Sequence, residues 1–393
     1  MLKVRGFKFS GISAGIKGKD KKDLGLIASD RPLSAAAVFT TSAVKAAPVI
    51  LDAERIKNGC ARAVVVNSGN ANACTGVSGF EDAISMAEKV AQLLGVDEDD
   101  VLVSSTGVIG QRLPLDLIHQ GMPELVTSLG EEGAQDFAQA IMTTDSFSKT
   151  HSVTDVIAGQ EVTVAGIAKG AGMISPDMAT MLAYIVTDAD IDSTMLSHAL
   201  KVSTDVSFNC ITVDGDMSTN DTVIALASGA SGARIVEGEV GHLKFLSMLE
   251  EVMIALARMI VKDGEGATKL IEIIVRGADS AEDAKKAAVK VANSPLVKTA
   301  FYGEDANWGR IAGALGGAGI ALDESRLDIY FDNVQIVKSG LFTGKDAEEK
   351  ATAAMKKEEF SLVVDINLGP HERRMWTCDL THDYIRINAE YRS

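Results

Sequence analysis

An α/β fold is predicted by three observations: short all-apolar runs such as Ala61 to Val66 (ARAVVV), amphipathic stretches such as Phe80 to Leu94, and regular alternation of the two along the 393 residues. Ala61 to Val66 reads as a buried strand leaving the core into a turn-rich stretch, Asn67 to Gly76 (NSGNANACTG). Phe80, Ile84, Ala87, Ala91 and Leu94 then recur at threes and fours with charges between, which is a helix with one apolar face. Strands follow at 101–103, 161–168, 181–186 (MLAYIV) and 270–275 (LIEIIV), and helices at 114–128, 134–142, 193–202 and 242–261. After Gly277 a new rhythm begins: helices over 281–293, 308–315 and 347–356, and strands near 327–337, 360–367 and 373–379. The expected division is a larger domain over residues 1–276 and a smaller α/β domain over 277–393, with no Gly/Ser-rich tether between them.

Composition narrows the function. Fifty-four acidic against 38 basic side chains give a net charge of -16, which repels polyanions, and only 5% of residues are aromatic, so no nucleic-acid partner is expected. Four widely spaced cysteines (Cys60, Cys74, Cys210, Cys378) form no C-x-x-C pair, and six histidines show no H-x-x-x-H spacing, so no metal is expected. The amino-terminal ten residues lack a following signal-peptide core, and no run reaches the roughly 18 apolar residues of a membrane span. A cytoplasmic protein acting on a small molecule is the expectation.

The most unusual text is Lys169 to Thr187 (KGAGMISPDMATMLAYIVT), where a Gly-rich turn and a proline lead into a strand. It contains neither G-x-x-x-x-G-K-[ST] nor G-x-G-x-x-G, and a strand, not a phosphate-holding helix, follows. That disfavours a small-molecule kinase.

This segment resembles the processing site of the arginine-biosynthesis ornithine acetyltransferases, also called glutamate N-acetyltransferases. The resemblance runs nearly the whole chain in order: G-I-K-G-K-D at Gly15, A-A-P-V at Ala46, N-S-G-N-A-N-A-C-T-G at Asn67, S-S-T-G-V-I-G at Ser104 and I-M-T-T-D at Ile141. It continues in D-G-D-M-S-T-N-D-T at Asp214, D-G-E-G-A-T-K at Asp263, Y-G-E-D-A-N-W-G-R-I at Tyr302 and the terminal I-N-A-E-Y-R-S. It implies a layered αββα-type sandwich with a second, smaller α/β domain. It also implies self-cleavage between Ala179 and Thr180 into an alpha chain, 1–179, and a beta chain, 180–393, assembled as a heterotetramer of two of each.

The chemistry of such a cleavage is coherent. A threonine hydroxyl needs a base to attack an amide, and a terminal threonine carries one in its own α-amine, with a reference pKa of about 7.7 to 8.0. In the uncut chain, attack of the Thr180 hydroxyl on the Ala179 carbonyl shifts amide to ester, and water then separates the fragments. By resemblance Thr180 is the nucleophile, Thr106 and Gly107 form the oxyanion hole, and Thr143, Lys169, Thr180, Glu265, Asn388 and Ser393 contact substrate. By spacing alone, Thr106 and Gly107 are a tight turn after a strand, and Lys169 and Glu265 are solvated surface charges. The implied reaction moves acetyl from N2-acetylornithine to glutamate through acetyl-Thr180 with no cofactor, and acetyl-CoA is a further donor that the resemblance allows. Two positions depart from the family pattern, Ser42 and Asp177 in place of asparagine, and Asp177 lies three residues before the nucleophile. The rival readings are a self-processed aminopeptidase, whose nucleophile is typically serine, and an unprocessed amino-acid-binding protein.

Overall fold

The structure, a computed structural model, describes residues 2–175 and 181–390. The chain divides into two units, one of residues 1–170, 177–209 and 216–260 and the other of 171–176, 210–215 and 261–393.

The first unit contains, in chain order, β1 (Lys8–Ile12), β2 (Leu24–Phe39), α1 (Ala47–Arg55), β3 (Cys60–Asn70), α2 (Gly76–Leu94), β4 (Val101–Val108), α3 (Leu115–Thr127), α4 (Ala134–Ile141), β5 (Lys149–Ile157) and β6 (Gln160–Lys169). It continues with β7 (Leu182–Thr187), α5 (Ser193–Val206), β8 (Thr222–Ala227) and α6 (Val240–Lys262), whose final residues belong to the second unit. The strands run β4-β3-β2-β8-β7-β6-β5, with β1 also on β2. The β3/β4 and β7/β8 pairs are parallel.

One bent strand turns this sheet into two layers. The β2/β3 register shifts between Ala28 and Leu33, where Asp30, Arg31 and Pro32 are exposed and Pro32 has no N–H to give to a ladder. Before the bend β2 pairs with β1 and β3; beyond it the long run of partners is β8. Side chains that alternate along each strand then sort into separate cores. Ile27, Val64, Val66 and Leu102 share one with Ile167, Leu182, Tyr184, Val186, Ile224 and Leu226, so β2–β4 face β6–β8. The opposite faces of β2–β4, through Leu24, Leu26, Ala63, Val65, Val101 and Val103, pack on Leu51, Met86, Val90, Ile118 and Met122 of α1, α2 and α3. On the far side α6 lies so close to β6 that a Cβ on Gly166 would meet Val252 and Leu256. This is the expected α–β–β–α layering.

Helix α4 closes the inner core. Its Phe137 ring stands 6.3 Å from Phe9 and 5.2 Å, edge-on, from Tyr184, an arrangement that suits the ring quadrupoles. The approach is possible because β1 offers Gly11, where a Cβ would lie 2.1 Å from the Asp136 carbonyl oxygen.

The second unit contains β9 (Leu270–Ala278), α7 (Ala281–Ala292), α8 (Pro295–Tyr302), α9 (Trp308–Gly316), β10 (Asp328–Phe331), β11 (Val334–Lys338), β12 (Leu341–Phe342), α10 (Lys345–Met355), β13 (Glu359–Asp365), β14 (His371–Cys378) and α11 (His382–Ala389). Its sheet runs β12-β11-β10-β13-β9-β14. Ala284, Ala287, Ala288 and Val291 of α7, spaced by threes and fours, share its core with Ile273, Val275, Leu362 and Val364. Ser280 caps α7 by accepting the Asp283 N–H, and Glu282 and Asp283 in the first turn suit the helix dipole.

Two expectations are corrected. The domain boundary lies at 260/261 rather than 276/277, because β9 is flanked by β13 and β14 and cannot be parted from them. The strand expected to end at Val66 runs on to Asn70, because N-S-G-N pairs in parallel with S-S-T-G of β4.

Substituting Gly11→Ala forces backbone against backbone, and a loss of roughly 2 kcal/mol of unfolding free energy is expected in urea titration. A parental midpoint and slope would show that α4 does not need this glycine.

Candidate active site

The expected oxyanion pair is not a free tight turn but the end of a strand. Thr106 and Gly107 are residues six and seven of β4, opposite Ser68 and Gly69 of β3, where the ladder loses register. Gly107 has φ +133°, and a Cβ there would sit 2.3 Å from the Gly69 carbonyl carbon, so only glycine fits this crossing. The asparagines of N-S-G-N-A-N brace it. Ser105 Oγ donates to Asn67 Oδ1 at 2.6 Å, Asn67 Nδ2 donates to the Asn70 carbonyl at 2.9 Å, and Asn70 Nδ2 reaches the carbonyls of Gln111 and Arg112.

Lys169, the last residue of β6, crosses to this strand from the opposing layer. Its Nζ donates to Thr106 Oγ1 at 3.0 Å, and both side chains are buried. A hydroxyl that accepts from an ammonium keeps its own proton, so Thr106 can donate to a further acceptor, as an oxyanion donor must.

A buried carboxylate holds the ammonium side of the site. Asp145 accepts from Lys149 Nζ at 2.7 Å, from the Gly170 N–H at 2.7 Å and from the Thr143 N–H at 2.9 Å. Burial works to raise the Asp145 carboxyl, but the Lys169 and Lys149 ammoniums and its hydrogen bonds outweigh it and hold the pKa at about 2. Thr143 and Lys169 are thus positioned through one side chain, by its own N–H in the first case and by that of the next residue in the second. Lys17 is near them. Its Nζ donates to the Met142 carbonyl at 2.7 Å, and a Cβ on Gly69 would strike its stem. Burial, with Lys169 adding to it, pushes the Lys17 pKa down to about 8.

The second unit brings together Glu265 and Asn388. Asn388 Nδ2 donates to Glu265 Oε2 at 2.9 Å, and the Glu265 N–H donates to the Ala171 carbonyl at 2.8 Å. Gly172 makes room for the carboxylate, since a Cβ there would lie 2.5 Å from it. Asp214 fixes the turn that follows, accepting the N–H groups of Met173 at 2.6 Å and Ile174 at 2.9 Å.

Lys169 and Glu265 are therefore not the solvated surface charges that their spacing suggests; they are 3% and 9% exposed. Ala179, Thr180, Asp177 and Ser393 lie outside the described residues. Ser42, the other departure, donates its hydroxyl to the Val44 carbonyl at 3.1 Å, a local turn bond. Asp145, in I-M-T-T-D, Lys149 and Lys17, inside G-I-K-G-K-D, are not singled out by sequence reasoning. A carboxylate followed four residues later by a lysine is a weak signal, commoner on solvated helices.

Among the described residues no helix is long and apolar enough to cross a membrane.

Residues 8–393 match the model of the ArgJ family. The arginine biosynthesis bifunctional protein ArgJ of Geobacter sulfurreducens is 53% identical over 393 residues, covering 100% of each chain. The protein of the same name from Syntrophotalea carbinolica is 50% identical over 396 residues, again covering 100% of each. Among solved structures, the arginine biosynthesis bifunctional protein ArgJ of Bacillus halodurans is 41% identical with a TM-score of 0.51, over 53% of this chain and 98% of that one.

The Asp145 network carries a pH signature. A carboxyl held at about 2 in the folded chain against about 3.9 unfolded stabilises the fold by roughly 2 to 3 kcal/mol above pH 4 to 5, and that contribution disappears as pH falls through about 2. The stability gap between the parent and Asp145→Asn should accordingly be near that size at pH 6 and close as pH approaches 2. A gap that does not change with pH would mean that the carboxylate charge contributes nothing.

Proposed function

This chain belongs to the ArgJ family, and on that premise we propose that it is an acetyltransferase of arginine biosynthesis acting through acetyl-Thr180. The observation that carries the reading is the buried Lys169–Thr106 bond beside Gly107, in the unit whose strand β7 starts two residues after Thr180. Such an arrangement can stabilise negative charge on an acyl oxygen.

In the uncut chain the Thr180 hydroxyl attacks the Ala179 carbonyl, and hydrolysis of the resulting ester leaves fragments of 179 and 214 residues. The freed α-amine of Thr180 then serves as the base. The hydroxyl attacks the acetyl carbonyl of N2-acetylornithine, negative charge gathers at Thr106 and Gly107, and ornithine leaves with a proton. The α-amine of glutamate attacks the acetyl ester in turn, giving N-acetylglutamate and restoring Thr180. Each half-reaction exchanges one acyl bond for another, so neither a metal nor a cofactor is required. Thr143, Lys169, Glu265, Asn388 and Ser393 are the substrate contacts of this reading, and acetyl-CoA is the second acetyl donor that makes the enzyme bifunctional. The fragments remain together as two of each.

Thr180→Ala should remain a single chain by intact mass and lose transfer from N2-acetylornithine to glutamate by at least 10³-fold, in keeping with removal of a covalent nucleophile. A cleaved or active variant would remove Thr180 from the mechanism. Release of free acetate in place of N-acetylglutamate by the parent would favour the aminopeptidase-like reading.

A further inference from the structure

In the motif D-G-D-M-S-T-N-D-T, Asp214 binds the backbone at Met173 and Ile174. The motif's later residues lie in the first unit, where Asn220 and Asp221 precede β8 and are 6% and 0% exposed. Asn220 Nδ2 donates twice, to the Ala71 carbonyl at 2.6 Å and to the Ser105 carbonyl at 2.8 Å. Its Oδ1 accepts from the Thr219 hydroxyl, so the side-chain amide has one orientation, and its backbone N–H donates to Ser218 Oγ. Ser105 immediately precedes Thr106. Asp221 Oδ1 accepts the Met181 N–H at 2.9 Å, and the Thr222 N–H donates to the Met181 carbonyl at 3.1 Å. Met181 immediately follows Thr180.

We propose that Asn220 and Asp221 are the positioning residues that hold the oxyanion strand and the nucleophile strand in register, Asn220 through Ser105 and Asp221 through Met181. The inference rests on the acetyl-Thr180 reading and adds to it the part that sets its geometry. Two adjacent side chains on one short segment act on the two neighbours of the reacting groups, so an error in either moves the hydroxyl relative to the oxyanion donors. A misplacement of about 1 Å is enough to cost on the order of 10²-fold in rate. Burial holds the Asp221 carboxyl well above the usual carboxylate range. A neutral acid and an asparagine amide have nearly the same shape and the same acceptor for Met181.

The test compares Asn220→Ser, Asp221→Ala and Asp221→Asn in full-length protein. Cleavage before Thr180, KM for N2-acetylornithine, kcat and thermal unfolding are measured on each. Asn220→Ser and Asp221→Ala are expected to slow self-cleavage and to lower kcat by about 100-fold with KM within about twofold of the parent. Asp221→Asn is expected to recover most of both rates, which a merely structural loss of fold would not predict. Folded Asn220→Ser and Asp221→Ala with parental kcat and cleavage would overturn the proposal, as would Asp221→Asn as slow as Asp221→Ala. If Asp221→Ala does not fold, Asn220→Ser and Asp221→Asn still decide it. The parent supplies the separate control: ornithine released in a burst without glutamate upholds the acetyl-Thr180 reading, whereas its absence takes both readings down together.

Discussion

The first unit is organised around one hydrogen bond between its two sheet layers, from Lys169 Nζ on β6 to Thr106 Oγ1 on β4. An ammonium taken out of water is costly unless its charge is answered, and a lone hydroxyl does not answer it. Asp145 supplies the charge, and the same carboxylate binds the backbone at Thr143 and Gly170. The layers can face one another because β2 bends at Asp30 to Pro32 and passes from one to the other. The charge pair, the bend and the register of β3 on β4 are therefore one construction, and Thr106 is placed where all three meet.

The same construction accounts for motifs that have no chemistry of their own. N-S-G-N-A-N is a set of asparagines whose amides satisfy backbone carbonyls where β3 leaves its ladder, and Gly69 is small because Gly107 crosses it and Lys17 lies over it. Buried polar groups of this kind have to be satisfied completely, since one orphaned donor or acceptor costs about 1–3 kcal/mol. This tract of polar residues is thus fixed in type by the hydrogen bonds it makes within the fold.

Most of the fold was legible because apolar periodicity is a local signal. β4, β6, β7, β9 and the helices α2 to α7 were found within a few residues of their bounds. Strands β1, β2, β5, β8 and β12 were not expected, and the bend in β2 depends on which strands lie beside each half, since pairing is not written in spacing. β9 was assigned to the wrong unit for the same reason, and the short helices α1, α8 and α11 were not expected, although α4, also eight residues long, was. For the candidate site, the residues proposed to carry chemistry came through resemblance, whereas those that hold them did not. Asp145 and Lys149 look like any acid and base four apart; only burial in one place, with Lys169, makes them the counter-charge of the site.

The central claim is that the acetyl group rests on Thr180 between donor and acceptor. It is tested most directly by mixing the cleaved protein with N2-acetylornithine alone, quenching, and locating added mass by fragmentation of the 180–393 chain. The expected result is one acetyl group on Thr180 that disappears when glutamate is added and reappears as N-acetylglutamate. An unmodified 180–393 chain in a preparation that nevertheless transfers acetyl would contradict the account and require direct passage between the two substrates.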